Sequence, residues 1–190
     1  MQVGAGAPSS EIQPQDVGVI GWTGSPVKAT SAYQLSTAVY AGKLLTYGFK
    51  VPVSGTINTI NYIVTGVGSG LSNCYFGIYS WTGSLLAQCT VDQSTNFVSI
   101  NTHTAALSSS LAVTGNTPYR VGLVIGAATA FPTFGTTASQ VSTVYTGLGL
   151  TGAGYICAAY GAAGAYTALP GSFTPASLAG MDGMLELVMN

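Results

Sequence analysis

Residues 73–94 read NCYFGIYSWTGSLLAQCTVDQS, and this stretch indicates the fold. Two apolar segments, CYFGIYS and SLLAQCT, flank the tripeptide Trp81-Thr82-Gly83. Glycine supplies the positive φ angle that a tight turn between two strands needs. The stretch therefore predicts a β-hairpin, and a hairpin of this kind is typical of a β-sandwich.

Alternating apolar residues predict further strands on both sides of the hairpin. In residues 45–53 every odd position is apolar, which is the period-2 pattern of a strand with one buried face. Residues 119–126, YRVGLVIG, repeat this pattern. Shorter strands are predicted at residues 56–65, 97–100, 107–114, 155–160 and 182–189, with a connector at 102–106 and a long Gly/Ala/Thr-rich region at 127–153 that holds structure of its own or serves as a functional loop.

These patterns define the fold class. Roughly eight to ten short strands follow one another with turn signals between them, and no helical periodicity extends beyond one turn. The sequence predicts an all-β protein, an antiparallel β-sandwich of jelly-roll type.

The first 40 residues differ from the rest. They are rich in proline and glycine and carry little periodicity, so residues 1–40 are predicted to form an extended N-terminal arm for docking or assembly. The arm is expected to pack on a neighbouring molecule or along the surface of its own domain. Trp22 argues against full disorder, since a large aromatic side chain usually finds a packing partner. Residues 41–190 are predicted to form the β-sandwich domain.

Charged residues are scarce, and this bounds the partners. Only 5% of the 190 residues are charged, against about 25% in a typical soluble domain. The surface must therefore consist of hydroxyls, amides and glycine backbone. Such a surface is costly for a free monomer, because low net charge gives little repulsion between molecules. The composition predicts an assembly component and a homo-oligomer.

The same composition excludes several classes of function. Four lysine and arginine residues spread along the chain cannot build a phosphate-binding surface, so nucleic acid is not an expected partner. No segment approaches the roughly 20 apolar residues that span a bilayer, and membrane insertion is not expected. Residues 1–16 lack a basic region followed by an apolar core, so no secretory signal is predicted and synthesis in a cytoplasm is expected.

The cysteines do not indicate a disulfide framework. Cys74, Cys89 and Cys157 are odd in number and form no CxxC motif, which also argues against a zinc site. Cys74 and Cys89 lie on the two arms of the predicted hairpin and could face each other. Reduced thiols that serve as small packing groups are favoured over a disulfide, because a cytoplasm keeps thiols reduced.

No arrangement of residues indicates catalysis. His103 is the only histidine and lies in a polar segment, and Asp92 nearby does not complete a triad with it. No nucleophile elbow is present, and the five carboxylates show no cluster in sequence. Asp92 could ligate calcium with loop carbonyls, but capping of a turn is favoured. We therefore predict no enzyme, no catalytic residues, no metal site and no cofactor.

Three aromatic residues remain as candidate ligand-binding residues. Tyr75, Tyr79 and Trp81 lie on the first arm and the turn of the hairpin. Exposed aromatic rings on a sandwich can stack on the apolar face of a sugar, and on this basis the three form a candidate glycan site. Packing in the core or against another subunit is favoured for Tyr75 and Tyr79, whereas the two interpretations are balanced for Trp81.

The hairpin also carries a family resemblance. The order N-x-Y-F-G-I-Y-x-x-x-G-x-L-L-A from Asn73, the polar Asp92-Gln93-Ser94 stretch and the YRVGLVIG segment resemble the C-terminal sandwich domains of minor tail and other virion proteins of phages that infect actinobacteria. The resemblance covers residues 42–126 well and the C-terminal third only loosely. It implies a jelly-roll or carbohydrate-binding-module-like domain and brings no catalytic residues.

The resemblance implies a function that the residues alone do not. It implies a structural component of a tailed phage virion, a minor tail protein bound to other virion proteins, with a host-surface role toward a cell-wall glycan and a trimer as one form of the oligomer. A capsid decoration or head-fibre protein of the same fold is the first alternative, and a free glycan-binding module is the second. The expected location is the virion, after synthesis in the bacterial cytoplasm.

Overall fold

The chain folds into two packed β-sheets. The computed structural model describes residues 20–22, 31–34, 37–137, 157–162, 164–177, 179–180, 184–185 and 187–190. Within these ranges all strand pairs are antiparallel, and the helices are limited to single turns. None of the described helices is long and apolar enough to cross a membrane. The prediction of an all-β antiparallel sandwich is confirmed.

The described strands are numbered in chain order. They are β1 (Gly21–Trp22), β2 (Ser31–Gln34), β3 (Leu44–Lys50), β4 (Gly55–Gly66), β5 (Ser72–Ser80), β6 (Leu85–Gln88), β7 (Asn101–Val113), β8 (Pro118–Ala127), β9 (Thr133–Thr137), β10 (Cys157–Tyr160), β11 (Ala179–Gly180), β12 (Met184–Leu185) and β13 (Leu187–Met189). The short helix α1 spans Thr37–Tyr40, and a 3-10 turn spans Pro175–Ser177.

The strands divide into two sheets. Sheet 1 has the order β1-β13-β4-β9-β12, with β2 paired to β9 and β7 paired to β4. Sheet 2 has the order β11-β10-β3-β8-β5-β6. From β2 to β9, successive strands lie in opposite sheets, except that β5 and β6 are neighbours in sheet 2 and form the predicted hairpin. Taken alone, these strands have the orders β2-β9-β4-β7 and β3-β8-β5-β6.

The main core lies between the two sheets and follows the predicted alternation. The inward side chains of β3 and β8 are buried aromatic and aliphatic groups: Leu45, Tyr47, Phe49, Tyr119, Val121, Leu123 and Ile125. The centre of the core is aromatic. Phe97 packs edge-on against Tyr62, Phe76 and Phe134, with ring centroids 5.4, 6.0 and 5.2 Å apart. Burial of these large rings contributes to the stability of the fold.

A second core covers the outer face of sheet 2. Leu44, Tyr79 and Val124 point away from the main core and pack against Leu169 and Phe173. The described part of residues 160–173, named here the crossing segment, runs over this face. Sheet 2 is therefore buried on both sides, which explains why β3 and β8 are buried at nearly every position.

Backbone hydrogen bonds fix the crossing segment at both ends. The Tyr166 amide donates to Gly42, and the Gly164 amide donates to Ala41, each at 2.8 Å. At the other end, the Leu85 amide donates to Gly171 at 2.9 Å, so the segment lies beside β6.

Glycines in sheet 2 allow this close cover. A methyl group on Gly122 would lie 2.5 Å from the ring of Tyr79, and one on Gly77 would lie 2.7 Å from the Leu169 side chain. Contacts this short are not tolerated between carbon atoms. The two glycines are directly paired on β5 and β8. Together they leave a depression in the sheet surface, which the side chains of Tyr79 and Leu169 occupy.

Within the predicted N-terminal arm, the structure describes two short strands, and both belong to sheet 1. Residues 21–22 pair with β13, and residues 31–34 pair with β9, so both segments are strands of sheet 1. Ile20 also packs against the main core. The described strands of the predicted arm therefore lie along their own domain, within sheet 1. Short strands without strong alternation are hard to distinguish from an extended arm by pattern alone. Residues 1–19 and 23–30 lie outside the described residues.

Two of the predicted local elements are wrong. Residues 97–100 lie in a turn, although their composition favours a strand. Residues 102–106 are not a connector but the first half of the long strand β7. The sandwich overrides local preference here, because Phe97 fills the core from a turn and β7 pairs with β4 along its length.

The C-terminal predictions are confirmed in part. Residues 157–160, 184–185 and 187–189 form β10, β12 and β13, which lie within the predicted strands at 155–160 and 182–189. The long region at 127–153 holds β9, and its residues 138–153 lie outside the described residues.

We expect Gly122→Ala to destabilise the fold by about 1–3 kcal/mol, because the added methyl group displaces the buried Tyr79 ring. The free energy of unfolding in urea measures this. Gly171→Ala is the matched control, since nothing lies within 4 Å of its Cβ position. Equal stability of the two variants would contradict the close packing of Tyr79 on the sheet.

Candidate functional site

Of the candidate ligand-binding residues, Trp81 lies in the hairpin turn, and Tyr75 and Tyr79 lie on strand β5 that leads to it. Ser80 and Ser84 close the turn, with the Ser80 amide donating to the Ser84 carbonyl at 2.8 Å. Gly83 has a φ of 96°, which confirms the predicted role of glycine in the turn. A Cβ there would collide with the Phe173 carbonyl, and the Phe173 amide donates to Gly83 at 2.9 Å. The turn is thus held by the crossing segment.

Tyr79 is a core residue and not a surface ligand. Its side chain is fully buried, its ring packs edge-on against Phe173 at 5.2 Å, and its hydroxyl donates to the Pro170 carbonyl at 2.8 Å. Burial raises the pKa of the Tyr79 hydroxyl. A sugar cannot reach this ring, so Tyr79 has the packing role that was favoured for it and not the alternative role of a glycan contact.

Trp81 covers a buried arginine. Arg120 on β8 is fully buried, and its guanidinium carbon lies 3.9 Å from the centre of the Trp81 ring. In sheet 2, Arg120 stands between Gly48 and Tyr79 on the neighbouring strands. A positive charge above an aromatic face is a favourable contact, and it is stronger where water is excluded. Trp81 therefore has one face occupied, although the residue is half-buried overall.

Tyr75 keeps part of its side chain exposed. It packs against both cores from the outer face of sheet 2. A cross-strand row joins it to Tyr160, because Tyr75 is paired with Val124, Val124 with Leu44, and Leu44 with Tyr160.

Tyr166 stacks on Tyr160 with the ring centroids 6.2 Å apart. The pKa of Tyr166 is raised by burial and by the neighbouring Tyr160. The half-buried tyrosines at this surface are Tyr75, Tyr160 and Tyr166, of which sequence reasoning identified only the first.

Asp92 clamps the backbone at the base of the hairpin. Its two carboxylate oxygens accept hydrogen bonds from the amides of Asn73, Cys74 and Ser94 at 2.9, 3.1 and 2.8 Å. Asn73 has a φ of 56°, so the clamp also supports a left-handed residue. Burial acts to raise the pKa of Asp92, but the amides of Ser94, Cys74 and Asn73 outweigh it and hold the pKa below its usual value. This geometry is the predicted turn capping.

The described residues form no cluster of metal-binding side chains around this carboxylate. Within the described ranges, no group of three or more His, Cys, Asp and Glu side chains lies close enough to hold a metal ion. The calcium alternative for Asp92 therefore has no support from neighbouring carboxylates. Glu11, Asp16, Asp182 and Glu186 have side chains outside the described part of the chain.

His103 is partly buried and lies at the edge of the aromatic core. Its ring stacks on Tyr62 with the centroids 5.6 Å apart, and its Nε2 atom lies 2.9 Å from the Ser99 carbonyl. The hydroxyl of Tyr62 in turn donates to the side-chain oxygen of Gln93 at 3.0 Å. These contacts fit the predicted structural role of His103, which lies on β7 and not in a connector.

Cys74 and Cys89 are free and buried, as predicted. Burial, together with the nearby Asp92 carboxylate, raises the pKa of the Cys74 thiol to about 12. Burial also raises the pKa of Cys89, although the Phe76 amide donates to its sulfur at 3.0 Å and opposes the rise. Thiols with such pKa values hold little reactive thiolate at neutral pH, so both act as packing groups.

Comparison of the chain with models of known protein families, with curated proteins and with solved structures found no match.

We expect Trp81→Ala to lower the free energy of unfolding by about 2–3 kcal/mol, because it removes a large ring and uncovers the Arg120 charge. Trp81→Phe is the matched control and should lose less, since it keeps an aromatic face above the guanidinium. Chemical denaturation of the three proteins measures the difference. Wild-type stability in Trp81→Ala would mean that the cation–π contact contributes nothing.

Acid should destabilise the protein through Asp92. A carboxyl group with a lowered pKa in the folded chain stabilises above its unfolded pKa of about 3.9 and loses that contribution as the pH falls through the folded value. Asp92→Asn should cost about 1–2 kcal/mol at pH 7 and show a smaller loss below pH ~4. Denaturation midpoints from pH 7 to 3 test this, and parallel curves for the two proteins would contradict it.

Proposed function

We propose that the protein is a structural component of a tailed phage virion, most simply a minor tail protein. The observation that carries the proposal is the charge-poor surface of a rigid sandwich. Only 5% of the residues are charged, and among the described ones Arg120 lies buried under Trp81 while Asp92 is occupied by backbone amides. A surface of this kind suits burial against other subunits and is poorly suited to a free monomer.

The strand order supports a jelly-roll fold, which is the fold that the family resemblance implies. We infer that the sandwich is a jelly roll, because strands β2 to β9 contribute four strands to each sheet, in the orders β2-β9-β4-β7 and β3-β8-β5-β6, and alternate between the sheets except at the β5–β6 hairpin. Jelly rolls are frequent in viral capsid and lectin domains. The residues of the resemblance, 73–94 and 119–126, form the hairpin and the strand at the centre of sheet 2.

A capsid decoration or head-fibre protein is the second candidate, and the same surface supports it. Copy number distinguishes the two roles. A handful of copies per particle corresponds to a component of the tail tip, whereas tens to hundreds correspond to the head. The proposed partners are other virion proteins and further copies of this chain, and the proposed location is the virion after synthesis in the host cytoplasm.

Contact with a host cell-wall glycan is a proposed accessory role, in the tail protein or in a free glycan-binding module. The observation that favours it is the row of half-buried tyrosines on sheet 2, where Tyr160 and Tyr166 stack and Tyr75 lies at the other end. Trp81 contributes only the ring face that Arg120 leaves open. Tyr79 is excluded from this role because it is buried.

We expect purified virions to contain the protein at fixed stoichiometry. Quantitative mass spectrometry of particles and immunogold electron microscopy measure its copy number and place. A matched preparation from a phage with the gene deleted is the control. Absence of the protein from intact particles of the wild-type phage would overturn the proposal.

A further inference from the structure

Strand β7 forms an edge of sheet 1. It pairs with β4, with Asn61 opposite Thr104 and Tyr62 opposite His103, and with no other strand among the described residues. An edge strand presents a row of backbone amides and carbonyls that another strand can use. At 13 residues, β7 is the longest strand that the structure describes.

The first half of β7 shows which residues direct their backbone outward. The Thr102 amide donates to the side chain of Asn101 at 2.8 Å, so it does not serve the ladder with β4. Backbone groups of alternate residues point to the same side of a strand in an antiparallel sheet. Thr104 and Ala106 therefore direct their amides and carbonyls to the open edge as well.

The sequence of β7 has no charged residue and no proline that would block its edge. Residues 101–113, NTHTAALSSSLAV, contain no lysine, arginine, acidic residue or proline. Natural edge strands commonly use such residues to prevent pairing. The outward-facing side chains of Thr102, Thr104 and Ala106 are small and exposed, which lets another backbone approach closely.

A bulge limits the regular part of this edge. The pairing with β4 shifts between Ile57 and Thr59, so the extra residues 107–110 of β7 stand out of register. Pairing along the edge is therefore confined to residues 101–106. Exposed aliphatic side chains lie directly before it, with Val98 50% and Ile100 65% exposed.

We propose that two copies of this chain pair through β7 in an antiparallel arrangement centred on Thr104. In this register, Thr104 lies opposite Thr104 of the partner subunit, and Thr102 lies opposite Ala106 of the partner subunit. Sheet 1 then continues across the two-fold axis. Directly opposed threonines are a favourable cross-strand pair.

A second copy is the occupant that fits this edge. Residues 101–106 contain no lysine, arginine, aspartate or glutamate, and the ring of His103 is stacked on Tyr62. The same strand in a second copy therefore brings no acidic, lysine or arginine side chain that would have to be desolvated. A two-fold interface also uses one surface twice, so one open edge satisfies the other. The pairing adds to the assembly role proposed above and does not depend on which particle holds the protein.

The test uses the full chain and a charge placed on the axis. We expect the wild type to have twice the chain mass of 19.2 kDa in sedimentation equilibrium, and Thr104→Lys to have the single mass, because two lysines would face each other. Thr56→Lys places the same charge on an exposed residue of β4 and should keep the double mass. Thr104→Ala removes the hydroxyl that donates to Asn61 without adding charge and should also keep it.

Hydrogen exchange gives a second measurement. The amides of Thr104 and Ala106 should be protected in the wild type and should exchange faster in Thr104→Lys, with the other amides of sheet 1 unchanged. A single-chain or trimeric mass for the wild type, or a double mass for Thr104→Lys, overturns the pairing. Protection of these amides in a monomer also overturns it, since the chain would then cover its own edge. Virion content, measured separately, tests the assembly role.

Discussion

The burial of sheet 2 on both faces is the constraint on which the rest of the structure depends. Its inner face packs on sheet 1, and its outer face packs under the crossing segment. This requires glycine at Gly77 and Gly122, where covering side chains lie against the backbone. The charge of Arg120, which lies within the covered face, must also be stabilised, and the ring of Trp81 lies over its guanidinium group. The aromatic hairpin serves this packing first.

Sequence patterns predict the parts of the fold in which apolar and polar residues alternate along a strand. The hairpin, β3 and β8 follow from alternation and from glycine at a turn, because each strand has one face that must be apolar. The second half of β7 coincides with the strand predicted at residues 107–114, whereas its first half does not follow from the sequence pattern, because its pairing with β4 decides its conformation. The strands in residues 20–34 are too short for a pattern and exist only through β9 and β13.

The candidate site is harder to predict for a physical reason. An aromatic residue in a strand has the same sequence signature whether it faces water or a second layer. Tyr79 is a core residue because Leu169 and Phe173, about 90 positions later in the chain, pack over its ring. One signal was present: the charged Arg120 lies within an apolar strand, and Trp81, directly after the neighbouring strand β5, supplies an aromatic face for it. Asp92 was predictable as a cap because it stands beside a turn.

The distances along the chain between paired strands bear on how the protein is made. Leu44 pairs with Val124, and Tyr62 pairs with Leu187, so both sheets close loops of many tens of residues. Closing such loops costs entropy before the contacts form, and folds of this kind mature slowly. During synthesis, β4 lacks its β13 partner until residue 187 has left the ribosome. The sandwich is therefore completed after translation of these residues, and its open strand edges must be kept apart from those of neighbouring nascent chains until then.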